Sequence, residues 1–231
     1  MGGKEKRLML WPLAWAALCI VAVCVGVAAR MSYSDSSSDA RSFTNLAYAV
    51  APYSIDDLER LGTGLDSPSI DELGREADLV VLGSIGDARE YVHKSLLTDF
   101  HIKRVIKGSP SEDGSSIKVF EPIGFYKGPD GKVLVPGDAY VFGGVPMRPE
   151  IEYVLFLERV ADSVGIDGYI LSGSPYSKVP VSDNVAYRVN EPGEYGLPLG
   201  EYADCDIVVA DERSLENYEC AQQAILDFVG E

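Results

Sequence analysis

The chain has 231 residues, with 20 basic against 36 acidic side chains and a formal net charge of −16. Beyond residue 30 the balance is 16 basic to 35 acidic residues, a net −19. That excess repels phosphate backbones and anionic lipid surfaces, which argues against a nucleic-acid partner.

Residues 8–29 read LMLWPLAWAALCIVAVCVGVAA and carry no formal charge. As a helix the run would span about 33 Å, against a bilayer core of about 30 Å. Lys4, Lys6 and Arg7 precede it, which favours a cytoplasmic N-terminus. The sequence therefore predicts a cytoplasmic tail at 1–7 and a transmembrane signal-anchor at 8–29. All later residues would lie outside the cell, in a single-pass membrane protein. Two alternatives stay open: a signal peptide cut after Val27-Ala28-Ala29, and lipidation at Cys24 or Cys19.

Residues 31–44 are rich in serine and aspartate without an apolar period, and a flexible stalk is expected over 30–53. Two short helices are expected in 54–76. Ser54 would cap the first, at 55–61, before Gly62. Ser69 would cap the second, with Glu72 completing a capping box, to about Glu76. The core begins at 78–85 (DLVVLGSI), a run suited to a strand buried on both faces, with a bulge or bend at Gly86-Asp87.

Residues 96–106 alternate, placing Leu96, Thr98, Phe100 and Ile102 on one face, with a slip near Lys103-Arg104. Strands follow at 116–121 and 152–159, and shorter ones at 138–143, 169–172, 178–181, 185–189 and 206–210. A small hairpin is expected on either side of Lys127-Gly-Pro-Asp-Gly-Lys132. Ser214 would cap a C-terminal helix with Leu215, Tyr218, Ala221, Ile225 and Phe228 along one face. Short strands and frequent turns predict a small barrel or sandwich.

The segments Ala77-Asp-Leu-Val-Val-Leu-Gly83, Phe100-His-Ile-Lys-Arg-Val-Ile-Lys-Gly108, Ile117-Lys-Val-Phe120, Glu152-Tyr-Val-Leu-Phe-Leu157 and Asp167-Gly-Tyr-Ile-Leu-Ser-Gly-Ser174 carry a resemblance. They resemble a family of bacterial cell-surface proteins with an oligosaccharide-binding-like (OB-like) barrel. That barrel is similar to the netrin-like module of metalloproteinase tissue inhibitors. The resemblance covers about residues 70–189 and speaks to fold, since its motifs are strand cores and turns. It implies a mainly β protein: a small OB-like barrel at 77–190, flanked by short helices and followed by a loop and C-terminal helix at 191–231. It implies no catalytic residues. Metalloproteinase inhibitors act through an N-terminal cysteine of the mature chain, and nothing like it is present.

Cys205 and Cys220 are the only cysteines beyond residue 30, and in an oxidising exterior they are expected to pair. His93 and His101 have no metal-ligand spacing, and Gly-x-Ser-x-Gly is absent. Gly143-Gly144 is followed by no phosphate-loop lysine. Glu201, Asp204, Asp206, Asp211 and Glu212 crowd around Cys205 without EF-hand spacing. They read as solvated charge, with a calcium loop as the alternative.

No catalytic residue, metal or cofactor is predicted. Thirteen tyrosines are many for this length. Phe125, Tyr126, Tyr140 and Tyr176 fall in loops or short strands, where they would line a groove for a glycan or peptide. The expected role is non-catalytic binding of a protein or polysaccharide at the cell envelope. An envelope enzyme, or an inhibitor of an extracellular enzyme, is the alternative.

Overall fold

The computed structural model describes Trp15 and residues 18–27, 47–48, 52–61, 70–92, 95–121, 123, 126–127, 133–134, 143–161, 165–172, 175–182, 184–190 and 197–230. Two compact units are present, residues 1–36 and 37–231. In the first, residues 18–27 are helical and their large apolar side chains are exposed. No helix among the described residues is long and apolar enough to cross a membrane. The rest of the expected span at 8–29 lies outside the described residues.

The second unit begins with β1 (Ala47–Tyr48), α1 (Ile55–Leu61) and α2 (Ile70–Glu76). Ser54 caps α1 as expected, accepting the Asp57 N–H at 3.2 Å. Ser69 lies outside the described residues. Tyr53, at the end of the expected stalk, is fully buried. Its backbone bonds Val208 and Ala210, which ties this stretch to the domain.

The barrel strands are β2 (Leu79–Val92), β3 (Ser95–Lys107), β4 (Ser116–Glu121), β7 (Glu152–Arg159) and β8 (Tyr169–Leu171). Between β4 and β7 lies a hairpin of β5 (Tyr126–Lys127) and β6 (Val133–Leu134), as the turn chemistry predicted. Pairing runs β2–β3–β4–β8–β7 and returns to β2, so five strands close a barrel. Only β4–β8 is parallel within that ring. This is a mainly β domain consistent with an OB-like barrel. The later strands are β9 (Lys178–Pro180), β10 (Tyr187–Val189), β11 (Leu197–Pro198) and β12 (Ile207–Val209). β9 extends the sheet beside β7, β11 pairs β1, and β10 pairs β12 in parallel. The expected strand at 138–143 falls largely outside the described residues.

The first strand is longer than its apolar run suggested. The bulge or bend expected at Gly86-Asp87 is a bulge, and β2 runs on through it to Val92. Four steps on β2, from Ile85 to Arg89, match two on β3, from Phe100 to Thr98. The expected slip in β3 is also present, with register shifts opposite Val80/Val81 and Leu82/Gly83. Gly83 lies where β3 comes closest. A Cβ there would meet the His101 carbonyl oxygen at 2.0 Å and Phe100 Cε1 at 2.7 Å.

Alternation along β2 and β7 divides the interior in two. Val81, Tyr153, Leu155 and Leu157 enter the barrel core with Phe100 and Val119. Val80, Val154 and Phe156 face the other way, into a second core with Tyr53, Leu58 and the C-terminal helix. That helix is α3 (Glu212–Gly230), which packs Leu215, Tyr218, Gln222, Ile225 and Val229 inward. Two expectations are corrected here. The cap is Asp211, which accepts the Ser214 N–H at 2.8 Å, while Ser214 is buried and accepts the Ile55 N–H. The buried stripe includes Gln222, whose amide donates to Pro180 and Ser182 carbonyls, and Phe228 is 37% exposed. A polar residue satisfied by backbone carbonyls stands where an apolar one was sought.

Candidate functional site

Strand alternation puts Glu121 on the same side of β4 as Val119, pointing into the barrel. A carboxylate there must be paired and hydrogen-bonded. The Thr98 hydroxyl donates to Oε1 at 2.6 Å and the Arg89 guanidinium lies 3.0 Å from it. The Met147 N–H donates to Oε2 at 2.7 Å. Arg89 is delivered by the β2 bulge. Its Nε donates to Thr98 and its Nη2 donates to the Met147 carbonyl at 2.7 Å. Both polar groups of the Met147 backbone are thus held by one ion pair, while the Met147 side chain fills the barrel core.

The residues around Met147 are fixed in the same way. Val208 N–H donates to Gly143 O at 3.0 Å, and Gly144 bridges Ile207. Lys178 Nζ donates to the Val145 carbonyl. Arg148 N–H donates to Tyr153 Oη at 2.8 Å. The Arg148 guanidinium meets Asp206 Oδ1 through Nε at 3.0 Å and Nη2 at 2.7 Å. Asp206 Oδ2 accepts the Ala186 N–H. The carboxylates of Glu121 and Asp206 are 1% and 0% exposed, so each is fully withdrawn from water.

The arrangement is a staple. Glu121 ends β4 and Met147 precedes β7, so the staple joins both ends of residues 122–142, the segment that contains the β5–β6 hairpin. Burial holds the Lys178 ammonium below the ordinary lysine range, against the pull of Glu121 and Asp206. Burial also pushes the Tyr153 phenol up to about 12 and raises Tyr218 further.

These shifts set an expected alkaline transition. Tyr153 and Tyr218 hold their protons more tightly folded than unfolded. Their contribution is full below about pH 10 and is lost as pH rises through the folded values. For Tyr153 the loss is roughly 2 kcal/mol by pH 12. Tyrosinate absorbance should therefore rise together with loss of circular dichroism, and Tyr153→Phe should flatten the decline. Independent titration of all tyrosines without unfolding would contradict it.

The residues proposed from sequence are placed as follows. Phe125 and Tyr140 lie outside the described residues. Tyr126 is in β5, paired with Leu134. Tyr176 is fully buried rather than on a groove. Its hydroxyl is 2.5 Å from Tyr53 Oη, and both hydroxyls meet Asn217 Oδ1. The expected disulfide is absent: Cys205 and Cys220 are free thiols. Cys220 stands two residues after the inward Tyr218, roughly 200° round the helix, which leaves it exposed while Cys205 is buried.

The acidic cluster is divided among separate partners. Asp206 binds Arg148, Glu201 lies 3.8 Å from Arg188, and Asp211 caps α3. No group of three or more metal-ligand side chains among the described residues could hold an ion. His93 lies outside the described residues. His101 is exposed and its Nδ1 is 2.6 Å from Ser116 Oγ.

Comparison with known families, curated proteins and solved structures finds no match.

Sequence reasoning missed Glu121, Arg89, Lys178 and Arg148. The signal was present for Glu121 alone, at the next inward position after Ile117 and Val119.

Proposed function

We propose that this chain is a membrane-tethered, non-catalytic binding module of the cell surface, whose ligand-contacting part is the insertion at 122–142. One observation carries the reading: a buried ion pair staples both ends of that insertion to a closed barrel. Binding segments are commonly loops positioned by a rigid scaffold. The insertion holds Phe125, Tyr126 and Tyr140, whose rings offer apolar area with, for tyrosine, a polar tip. The charge-free run at 8–29 behind Lys4, Lys6 and Arg7 supports a single-pass anchor with the barrel outside. The strand motifs support membership of the bacterial OB-like surface family, and a protein or polysaccharide of the envelope as ligand.

The test uses the full chain in detergent against native envelope extract and against protease-treated wall polysaccharide. Retention in one arm, reduced about tenfold or more by combined Phe125→Ser, Tyr126→Ser and Tyr140→Ser, is the expected result. Equal retention of that variant, or none of the native chain in either arm, would overturn the reading.

A further inference from the structure

Five ionisable side chains gather around the strap of residues 143–148. Two are carboxylates, Glu121 at the end of β4 and Asp206 ahead of β12, both withdrawn from water. Two are guanidinium groups, Arg89 from the β2 bulge and Arg148 from the strap itself, one on each carboxylate. Those four charges cancel. The fifth group is Lys178 of β9, which lies within the field of all four. A charged Lys178 would leave this buried cluster with one positive charge in excess.

The hydrogen bonds show the same imbalance. An ammonium carries three N–H donors. Among the described residues Lys178 Nζ has one acceptor, the Val145 carbonyl, and forms no ion pair with either carboxylate. Thr98, Arg89 and the Met147 N–H occupy Glu121. Arg148 and the Ala186 N–H occupy Asp206. The other titratable neighbours are phenols. Tyr153 of β7 lies beside Arg148, and Tyr218 of α3 donates to the Lys178 carbonyl at 3.5 Å. Both keep their protons into the alkaline range and supply no countercharge. A neutral amine is served by the single bond to Val145, whereas a buried ammonium is not.

The strap depends on such bonds. Apart from the bridge of Gly144 to Ile207 it joins no ladder. Lys178 holds the Val145 carbonyl, and Glu121 and Arg89 hold the Met147 backbone.

We propose that Lys178 is a protonation-sensitive latch: its neutral amine holds the strap closed, and uptake of one proton from solvent drives the strap open so that water reaches the ammonium. In the open state Lys178 regains its ordinary value of about 10.4. The closed state binds one proton fewer, so opening gains about tenfold for each unit of falling pH. The gain runs from the ordinary value down to the lowered one and levels off below it. What the latch would regulate rests on the binding-module reading, since an open strap frees one foot of the insertion at 122–142. Its test needs no ligand, so the two can fail separately.

The test is amide hydrogen exchange of the full chain in detergent, corrected for the intrinsic pH dependence of exchange. Protection of the Met147 and Arg148 N–H groups should fall about tenfold or more from about pH 9 to about pH 7. At each pH these groups should exchange faster than the β2–β7 ladder, which marks a local opening. Lys178→Met keeps an apolar stem without the amine and should remove the pH dependence. A native chain without that dependence would overturn the proposal, and so would a Lys178→Met variant that retains it or a strap as protected as the ladder. The native chain alone gives a second reading that does not require the variant to fold. With isotope-labelled lysine, the Lys178 Cε signal in NMR should titrate at lower pH than that of the exposed Lys103. Titration of the two together would overturn the latch.

Discussion

Glu121→Ala is expected to lower folding stability by about 3–5 kcal/mol, the usual penalty for removing one member of a buried ion pair. The deletion strands the Arg89 guanidinium, the Thr98 hydroxyl and the Met147 N–H together, since all three converge on this carboxylate. For a chain of this size the melting temperature should fall on the order of 10 °C. Glu121→Gln keeps one acceptor oxygen but turns an amide NH2 toward a donor, so its loss should be intermediate. Hydrogen exchange provides the local readout: residues 143–148 should lose protection before the β2–β7 ladder does. A variant with native melting temperature and exchange would show that the staple holds nothing in place.

Gly143→Ala should cost about 3 kcal/mol, through two separable effects. Gly143 has φ of +72°, a left-handed conformation that costs an L-residue roughly 1–2 kcal/mol. A Cβ would also lie 2.6 Å from the Val208 carbonyl oxygen and 2.8 Å from both Ile207 Cγ1 and Tyr53 Cβ. Such crowding adds about 1–3 kcal/mol. Gly114 is the matched control. Its φ is +73° and no atom lies within 4 Å of its Cβ position, so Gly114→Ala should show the conformational part alone. Equal losses at the two positions, measured by urea unfolding, would remove the close approach from the account.

Strands were legible wherever burial on one or both faces wrote itself into a run of residues. The strands at 116–121 and 152–159 and the helix at 55–61 appear with the limits expected of them. The slip at Lys103-Arg104 was readable because two apolar residues, Val105 and Ile106, break a strict alternation. Length was harder. Gly86-Asp87 was readable as a bulge or bend, and only pairing with β3 shows that β2 runs on through it to Val92.

The ionic staple was hidden for a different reason. Arg89, Glu121, Lys178 and Asp206 are far apart in the chain, and each alone reads as a surface charge. Only the folded barrel, with β9 beside β7 and the segment around Asp206 packed on it, makes them neighbours. Tyr176 failed in the opposite sense: its glycine-, serine- and proline-rich flank suggested a loop, whereas its ring is core. The cysteine pair misled because fifteen residues of separation say nothing about which face of a helix carries Cys220.

The barrel closes across a long span: Leu79 of β2 pairs Leu157 of β7, with the insertion between them. Both ends of that insertion are fixed by groups outside it. Closure entropy grows slowly with chain length, by about 0.6 kcal/mol for each doubling. Beyond the buried Ile123, a longer connection between Glu121 and Met147 would therefore cost the barrel little while Glu121, Arg89 and Met147 keep their places.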